Sequence, residues 1–187
     1  MDAIVEAALK KWPNVPHCYG WLALDGRGEW YMRDDRIQAA GPFPQVKGSR
    51  IDHEKLRDFI ARNYASDAGG AWFFQNGPQR VYVQLEAAPW VWRLEPDASA
   101  EAGEPKRPPH LVSHTGRAAT YRSAHLDEAG RLFLASDLGL GLVHTLDIET
   151  ASLAVEAGAW LPEPVRFADL PGRFGYCLAP GAPAQLP

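Results

Sequence analysis

The chain is poor in cysteine, has no long apolar run and has no run of positive charge. Its 187 residues hold two cysteines, Cys18 and Cys177. That count excludes the dense disulfide framework that staples small secreted domains. One long-range bridge and two free thiols are the alternatives, and free thiols are the expectation. No apolar run approaches 18 residues, so no membrane partner is expected. Residues 1–11 carry no basic segment followed by an apolar one, so no secretory leader is expected and the cytoplasm is the expected compartment. Lys and Arg never exceed two in succession, and the net charge is -4. A nucleic-acid binder usually advertises a basic surface, so nucleic acid is not an expected partner either.

What is present is aromatic. Hydrophobic residues make up 46% and aromatic residues 11% of the chain. That suffices for a core of large side chains without metals or disulfides. Residues 71–94 concentrate it, with three of the seven tryptophans. Asn76-Gly77 is a turn signal between two β-rich runs, 71–75 and 80–86, because both residues tolerate positive φ. An even-length loop puts Trp72, Phe74, Val81, Val83 and Leu85 on one face. That face is apolar and is assigned to the core. Phe73, Gln75, Arg80, Tyr82 and Gln84 share the other. With a four-residue loop, Phe73 faces Tyr82 and Gln75 faces Arg80. Aromatics give contact area while Arg and amides fix orientation, so these five are the candidate ligand-binding residues. The competing reading is that this face is simply covered. After Pro89, Trp90 to Trp92 resume the pattern, as an edge strand.

The rest of the chain reads in order. A helix capped by Asp2 runs to about Lys11, with Ile4, Val5, Ala8, Leu9 and Trp12 on one stripe. Residues 19–24 and 29–33 form a hairpin, and a brief strand is expected at 36–38. Asp52 caps the clearest helix, which ends near Ala65, and its Phe59 and Ile60 are expected against Trp72, Phe74 and Val83. Residues 96–109 have linker composition. Strands are expected at 121–126, 131–135, 142–146, 152–156, 165–167 and 174–178. For 147–156 a helix is the alternative. The tail is expected to be disordered. Three segments share the pattern Asp-x-x-Gly-x-Φ-Φ-Φ, starting at Asp25, Asp67 and Asp127. Asp bonds the turn backbone, Gly takes the left-handed position, and the apolar run is the outgoing strand. Common β-turn chemistry explains this, and a duplicated hairpin unit is the alternative.

Other chemistry is thin. His17-Cys18 suggests a thiol nucleophile, yet adjacent strand residues point to opposite faces. His110-x-x-x-His114 has zinc spacing only on a helix, which Pro108-Pro109 and Gly116 disfavour, and no metal site is expected. Asp34-Asp35 with Asp25 or Glu29 make a candidate carboxylate site. Residues 137–141, rich in Gly, lack the Lys-Ser/Thr of a phosphate loop and read as a turn.

The first half resembles an uncharacterised proteobacterial protein family. Residues 12–22 (WPNVPHCYGWL), 47–56 (KGSRIDHEKL) and 72–83 (WFFQNGPQRVYV) carry the resemblance. It implies no activity. The order of motifs is also similar to a second bacterial family of unknown function, through Asp25 to Trp30, His53 to Tyr64, Asp67 to Phe74 and Glu86 to Trp90. That resemblance implies two small domains of repeated β motifs and a signalling role. Ala87 stands where that family has an acidic residue, so no role of that carboxylate carries over.

The expected fold class is α+β, with two small β-rich domains. The first, 1–95, is a helix-backed antiparallel sheet. A linker, 96–109, leads to a β-rich domain at 110–180 and a tail at 181–187. The expected function is non-enzymatic binding of a small molecule or a protein partner, without cofactor. The alternative is a thiol- or carboxylate-dependent enzyme with its site between the halves.

Overall fold

The computed structural model describes residues 1–95 and 108–181. Most of the expected linker and tail lie outside the described residues. The fold is α+β with two sheets, of six and seven strands. Contacts divide the chain into two units, 1–25 with 29–86 and the stretch from Gly175 on, and 26–28 with 87–174.

The first unit contains α1 (Ala3–Lys11), β1 (Cys18–Leu24), β2 (Trp30–Met32), α2 (Asp35–Ala40), β3 (Ser49–Arg50), α3 (Glu54–Arg62), β4 (Tyr64–Ser66), β5 (Trp72–Asn76) and β6 (Gln79–Leu85). Its sheet order is β3-β2-β1-β6-β5-β4. All pairs are antiparallel except β1 with β6. The β5–β6 hairpin has the expected register, Phe73 opposite Tyr82 and Gln75 opposite Arg80. On the apolar face the Phe59 ring of α3 meets Phe74 edge-on at 5.4 Å, with Val83 and Leu85 buried. The α3 cap is His53, whose Nδ1 accepts from the Leu56 N–H. Asp52 is held instead by Arg50 Nε at 2.7 Å. Residues 36–38 are helical rather than extended, because Asp34 caps α2 by accepting from the Ile37 N–H at 2.9 Å. On α1 only Val5 is buried, and Ile4 and Trp12 of the expected stripe are exposed.

The second unit contains β7 (Trp90–Glu95), β8 (His110–Ser113), β9 (Ala118–Ala119), β10 (Tyr121–Leu126), β11 (Leu132–Ser136), β12 (Gly139–Val143), α4 (Ile148–Glu156), β13 (Glu163–Pro164) and α5 (Leu170–Phe174). The sheet order is β13-β10-β11-β12-β7-β8-β9. The Trp90–Trp92 run is therefore central rather than an edge. Gly141 makes room for it: a Cβ there would lie 2.3 Å from Trp92 Nε1. Trp92 Nε1 donates to the Leu134 carbonyl at 2.8 Å, satisfying a buried donor. Residues 152–156 belong to a helix, since Ala151 and Ala154 bury one face of α4 at helical spacing. No strand spans 165–167, where a 3-10 turn at Phe167–Asp169 forms. Residues 170–174 form α5, with Pro171 in its first turn. Beyond Gly175, Cys177 N–H donates to the Gly70 carbonyl and the Leu178 carbonyl accepts from Leu85 N–H.

The Asp-x-x-Gly segments fold into closely similar turns. Asp67 Oδ1 accepts from the N–H groups of Gly69 and Ala71, and Asp127 Oδ1 from those of Ala129 and Arg131. Asp25 Oδ1 accepts from Glu29 N–H. Gly28, Gly70 and Gly130 have φ of 79°, 79° and 72°, which only glycine adopts cheaply. The sequence pattern missed a fourth. Ser113 Oγ accepts from Arg117 N–H and Gly116 has φ 78°, so a serine hydroxyl substitutes for the carboxylate.

Candidate functional site

The outer face of the β5–β6 hairpin is built by three strands. Phe73 and Tyr82 meet across the pair at 5.7 Å. Arg80 lays its guanidinium over the Phe73 ring at 4.4 Å. Gln75 is buried, and its amide donates to the Gly77 carbonyl, so it holds the hairpin turn. Phe73 and Tyr82 are buried, while Arg80 and Gln84 are half-buried.

The sequence reading did not foresee the residues that complete this face. Tyr19 stacks flat on Tyr82, with centroids 4.6 Å apart and planes within 5°. His17 meets Tyr82 edge-on at 5.8 Å. Both reach it because β1 is irregular here. Cys18 pairs with Val81 and Leu22 with Val83, so β1 uses two extra residues between those pairs. Gly20 takes φ 78° inside that bulge, and Trp21 is left 40% exposed. Bulges of this kind re-aim side chains and are common beside functional sites. The only sequence signal was a glycine inside a strand pattern.

Tyr82 is anchored from behind. Its hydroxyl donates to Asp67 Oδ2 at 2.9 Å, the oxygen that the turn leaves unused. Burial raises the Tyr82 phenol above its ordinary value, and Asp67 adds to the rise. Burial alone would raise Asp67 as well, but donation by Ala71 N–H, the Tyr82 hydroxyl and Gly69 N–H holds it below the usual carboxylate range.

Arg33, just past β2, closes the far end of the face. It is 1% exposed. Its Nη1 donates to Gln84 Oε1 and its Nη2 to the Gly41 carbonyl at 2.7 Å. Its Nε is buried without an acceptor, and no carboxylate among the described residues pairs with it. Burial pulls its guanidinium below its ordinary value. The neighbouring Asp34 is spent on capping α2.

The remaining candidates disperse. Asp25 is buried in an ionic cluster with Lys47 at 2.9 Å and the Tyr31 hydroxyl at 3.1 Å, and Glu86 holds the same ammonium at 3.1 Å. This is not the expected grouping with Asp34 and Asp35. Cys18 and Cys177 are free, half-buried thiols. His110 is exposed on β8, while His114 lies in the β8–β9 turn, its Nδ1 accepting from Val91 N–H at 3.3 Å. Burial pushes His114 down to about 3. Among the described residues no three His, Cys, Asp or Glu side chains converge as a metal site. Of residues 137–141 only Asp137 and Leu138 form the β11–β12 turn, while Gly139 to Gly141 pair in β12. In the second unit a cavity of about 560 Å³ is lined by Asp127, Glu128, Arg166, Asp169 and Arg173 among others. Its acids are largely engaged: Asp127 by Arg131 Nε at 2.7 Å and Glu128 by Phe167 N–H at 2.8 Å.

No helix among the described residues is long and apolar enough to cross a membrane. No curated protein matches the sequence. Two solved structures resemble the fold. A DUF1285 family protein from Silicibacter pomeroyi has a TM-score of 0.50 at 13% identity, covering 81% of this chain and 83% of that one. A DUF1285 family protein from Shewanella baltica has a TM-score of 0.46 at 14% identity, covering 71% and 91%. At such identity the likeness concerns the fold alone. A family model, DUF2944, described as "Protein of unknown function (DUF2946)", matches residues 1–181, and the chain belongs to this uncharacterised family.

Proposed function

We propose that the protein is a non-enzymatic, regulatory binding module of the bacterial cytoplasm, and that its small-molecule or protein ligand is held by the outer face of the β5–β6 hairpin. Arg80, Gln84 and Tyr19 make the contacts. Phe73 and Tyr82 back them, and Gln75 holds the turn. The observation that carries this reading is the Tyr19–Tyr82 stack raised on a β-bulge beside the Arg80–Phe73 pair. A flat tyrosine and a flat guanidinium, each supported by a buried ring, suit a planar group. Such stacking contributes area with little loss of side-chain freedom. The free thiols Cys18 and Cys177 support a reducing compartment.

The test is a tryptophan and tyrosine fluorescence titration with benzoate and with benzamide, planar probes with and without charge. At least one should saturate with wild type. Tyr19→Ala and Arg80→Ala should each weaken it about tenfold, the loss of one good stacking contact, while melting as wild type does. Absence of saturable binding, or unchanged affinity in both variants, contradicts the reading.

A further inference from the structure

We infer that Arg33 is the receptor for an anionic oxygen group, carboxylate or phosphate, on the ligand of this face, and that residues 35–48 form the cover that admits it. The inference rests on the binding-face reading for the position of the ligand. It adds the ligand's chemistry.

The first ground is charge. A guanidinium stays ionised inside proteins, and a buried ion is costly unless paired. Arg33 is buried, and both of its acceptors are neutral, an amide oxygen and a backbone carbonyl. The Gly41 carbonyl ends α2, a six-residue helix, so its dipole offers only partial negative charge. A carboxylate or phosphate forms stronger, charge-assisted bonds and takes two donors at once.

The second ground is position. Gln84, the acceptor at Nη1, is half-buried and is itself one of the outer-face residues. An anion that displaces the Gln84 oxygen reaches Arg33 from the side where the ligand lies.

The third ground is the cover. No residue from Asp35 to Gly48 is fully buried. The fully buried cation is thus enclosed by a segment whose apolar side chains, Ile37, Phe43 and Val46, are only partly buried. Such segments open at low free energy. The ties on this segment are polar: Arg33 to the Gly41 carbonyl, Gln38 Nε2 to the Arg33 carbonyl at 2.9 Å, and Lys47 to Asp25 and Glu86. Phe43 adds a ring 5.8 Å from the guanidinium.

The alternative role, a structural pin on the end of α2, separates in one experiment. Full-length protein is melted with acetate, succinate and inorganic phosphate, with chloride at matched ionic strength as control. In wild type at least one oxyanion should raise Tm saturably above the chloride control. Phosphate alone would identify a phosphoryl group, and acetate or succinate a carboxylate. Gln84→Glu supplies a carboxylate from within. Its ligand-free Tm should rise by about 2–4 °C, and its response to the oxyanion should fall at least tenfold. Arg33→Met should lose the response as well, whatever its own Tm. If Gln84→Glu does not fold, Arg33→Met alone decides. The inference is overturned if no oxyanion exceeds the chloride control. It is also overturned if Arg33→Met responds like wild type, or if Gln84→Glu changes neither Tm nor response. If Arg33→Met loses the response while Tyr19→Ala and Arg80→Ala keep both it and their ring-probe affinity, the face reading fails and the anion receptor stands.

Discussion

The two units treat buried charge differently. Among the described residues of the second unit, each buried carboxylate meets a guanidinium. Asp127 is held by Arg131 Nε at 2.7 Å, and Asp147 by Arg93 Nε at 2.6 Å. Asp147 also accepts from Leu94 N–H, and Asp127 from two turn N–H groups. These acids are consumed by architecture, tying turns and helix entries to strands. In the first unit Asp25 is likewise matched by Lys47. Arg33 is the exception, buried with its charge unmatched among the described residues. Where a buried carboxylate serves as a tie in the fold, a cation matches it. An ion left with neutral acceptors points to a group that arrives from outside.

The contrast can be broken most forcefully at Asp127. Asp127→Ala removes the acceptor of two backbone N–H groups and strands Arg131. The expected cost is about 2–4 kcal/mol, from two turn N–H groups left without their acceptor, read as a fall in the urea midpoint. A cost below about 1 kcal/mol, as at an ordinary surface position, would mean that the second unit's ion pairs are ornamental and the contrast empty.

A smaller effect should follow pH. Burial holds both His114 and His125 neutral, below the ordinary 6.5. Arg173 adds to the depression at His125 and Glu163 opposes it. A depressed histidine binds fewer protons folded than unfolded, so stability rises with pH. The second unit should therefore lose stability as pH falls from about 6.5 toward 3. His114→Gln, which retains an acceptor for Val91 N–H, should flatten that slope in melts at pH 7, 5.5 and 4. An unchanged slope would show that His114 does not carry it.

Much of the fold was legible because it rests on local chemistry. The Asn76-Gly77 turn and strict alternation settle the β5–β6 register. The Asp-x-x-Gly turns follow from one carboxylate and one left-handed glycine. Legibility ended where a distant partner decided the outcome. Residues 152–156 read as a strand, but the fold buries Ala151 and Ala154, which share a face only on a helix. Trp90 and Trp92 occupy a central strand because Gly141, about fifty residues on, vacates the space. The candidate face shows the same limit. Its hairpin residues could be named from alternation, whereas Tyr19 arrives through a bulge and Arg33 through the run that follows β2. No spacing rule joins Arg33 to Gln84 across 51 positions.

The most direct test compares two arginine truncations that keep the aliphatic stem. Arg131→Met leaves Asp127 buried without its cation and should lower stability by about 3 kcal/mol. Arg33→Met removes a buried cation that lacks an anion, and the half-buried acceptors it leaves, Gln84 and Gly41, remain close to water. Urea titration of Arg33→Met should show a change within about 0.5 kcal/mol or a gain. A loss as large as that of Arg131→Met would make Arg33 one more structural tie and contradict the account.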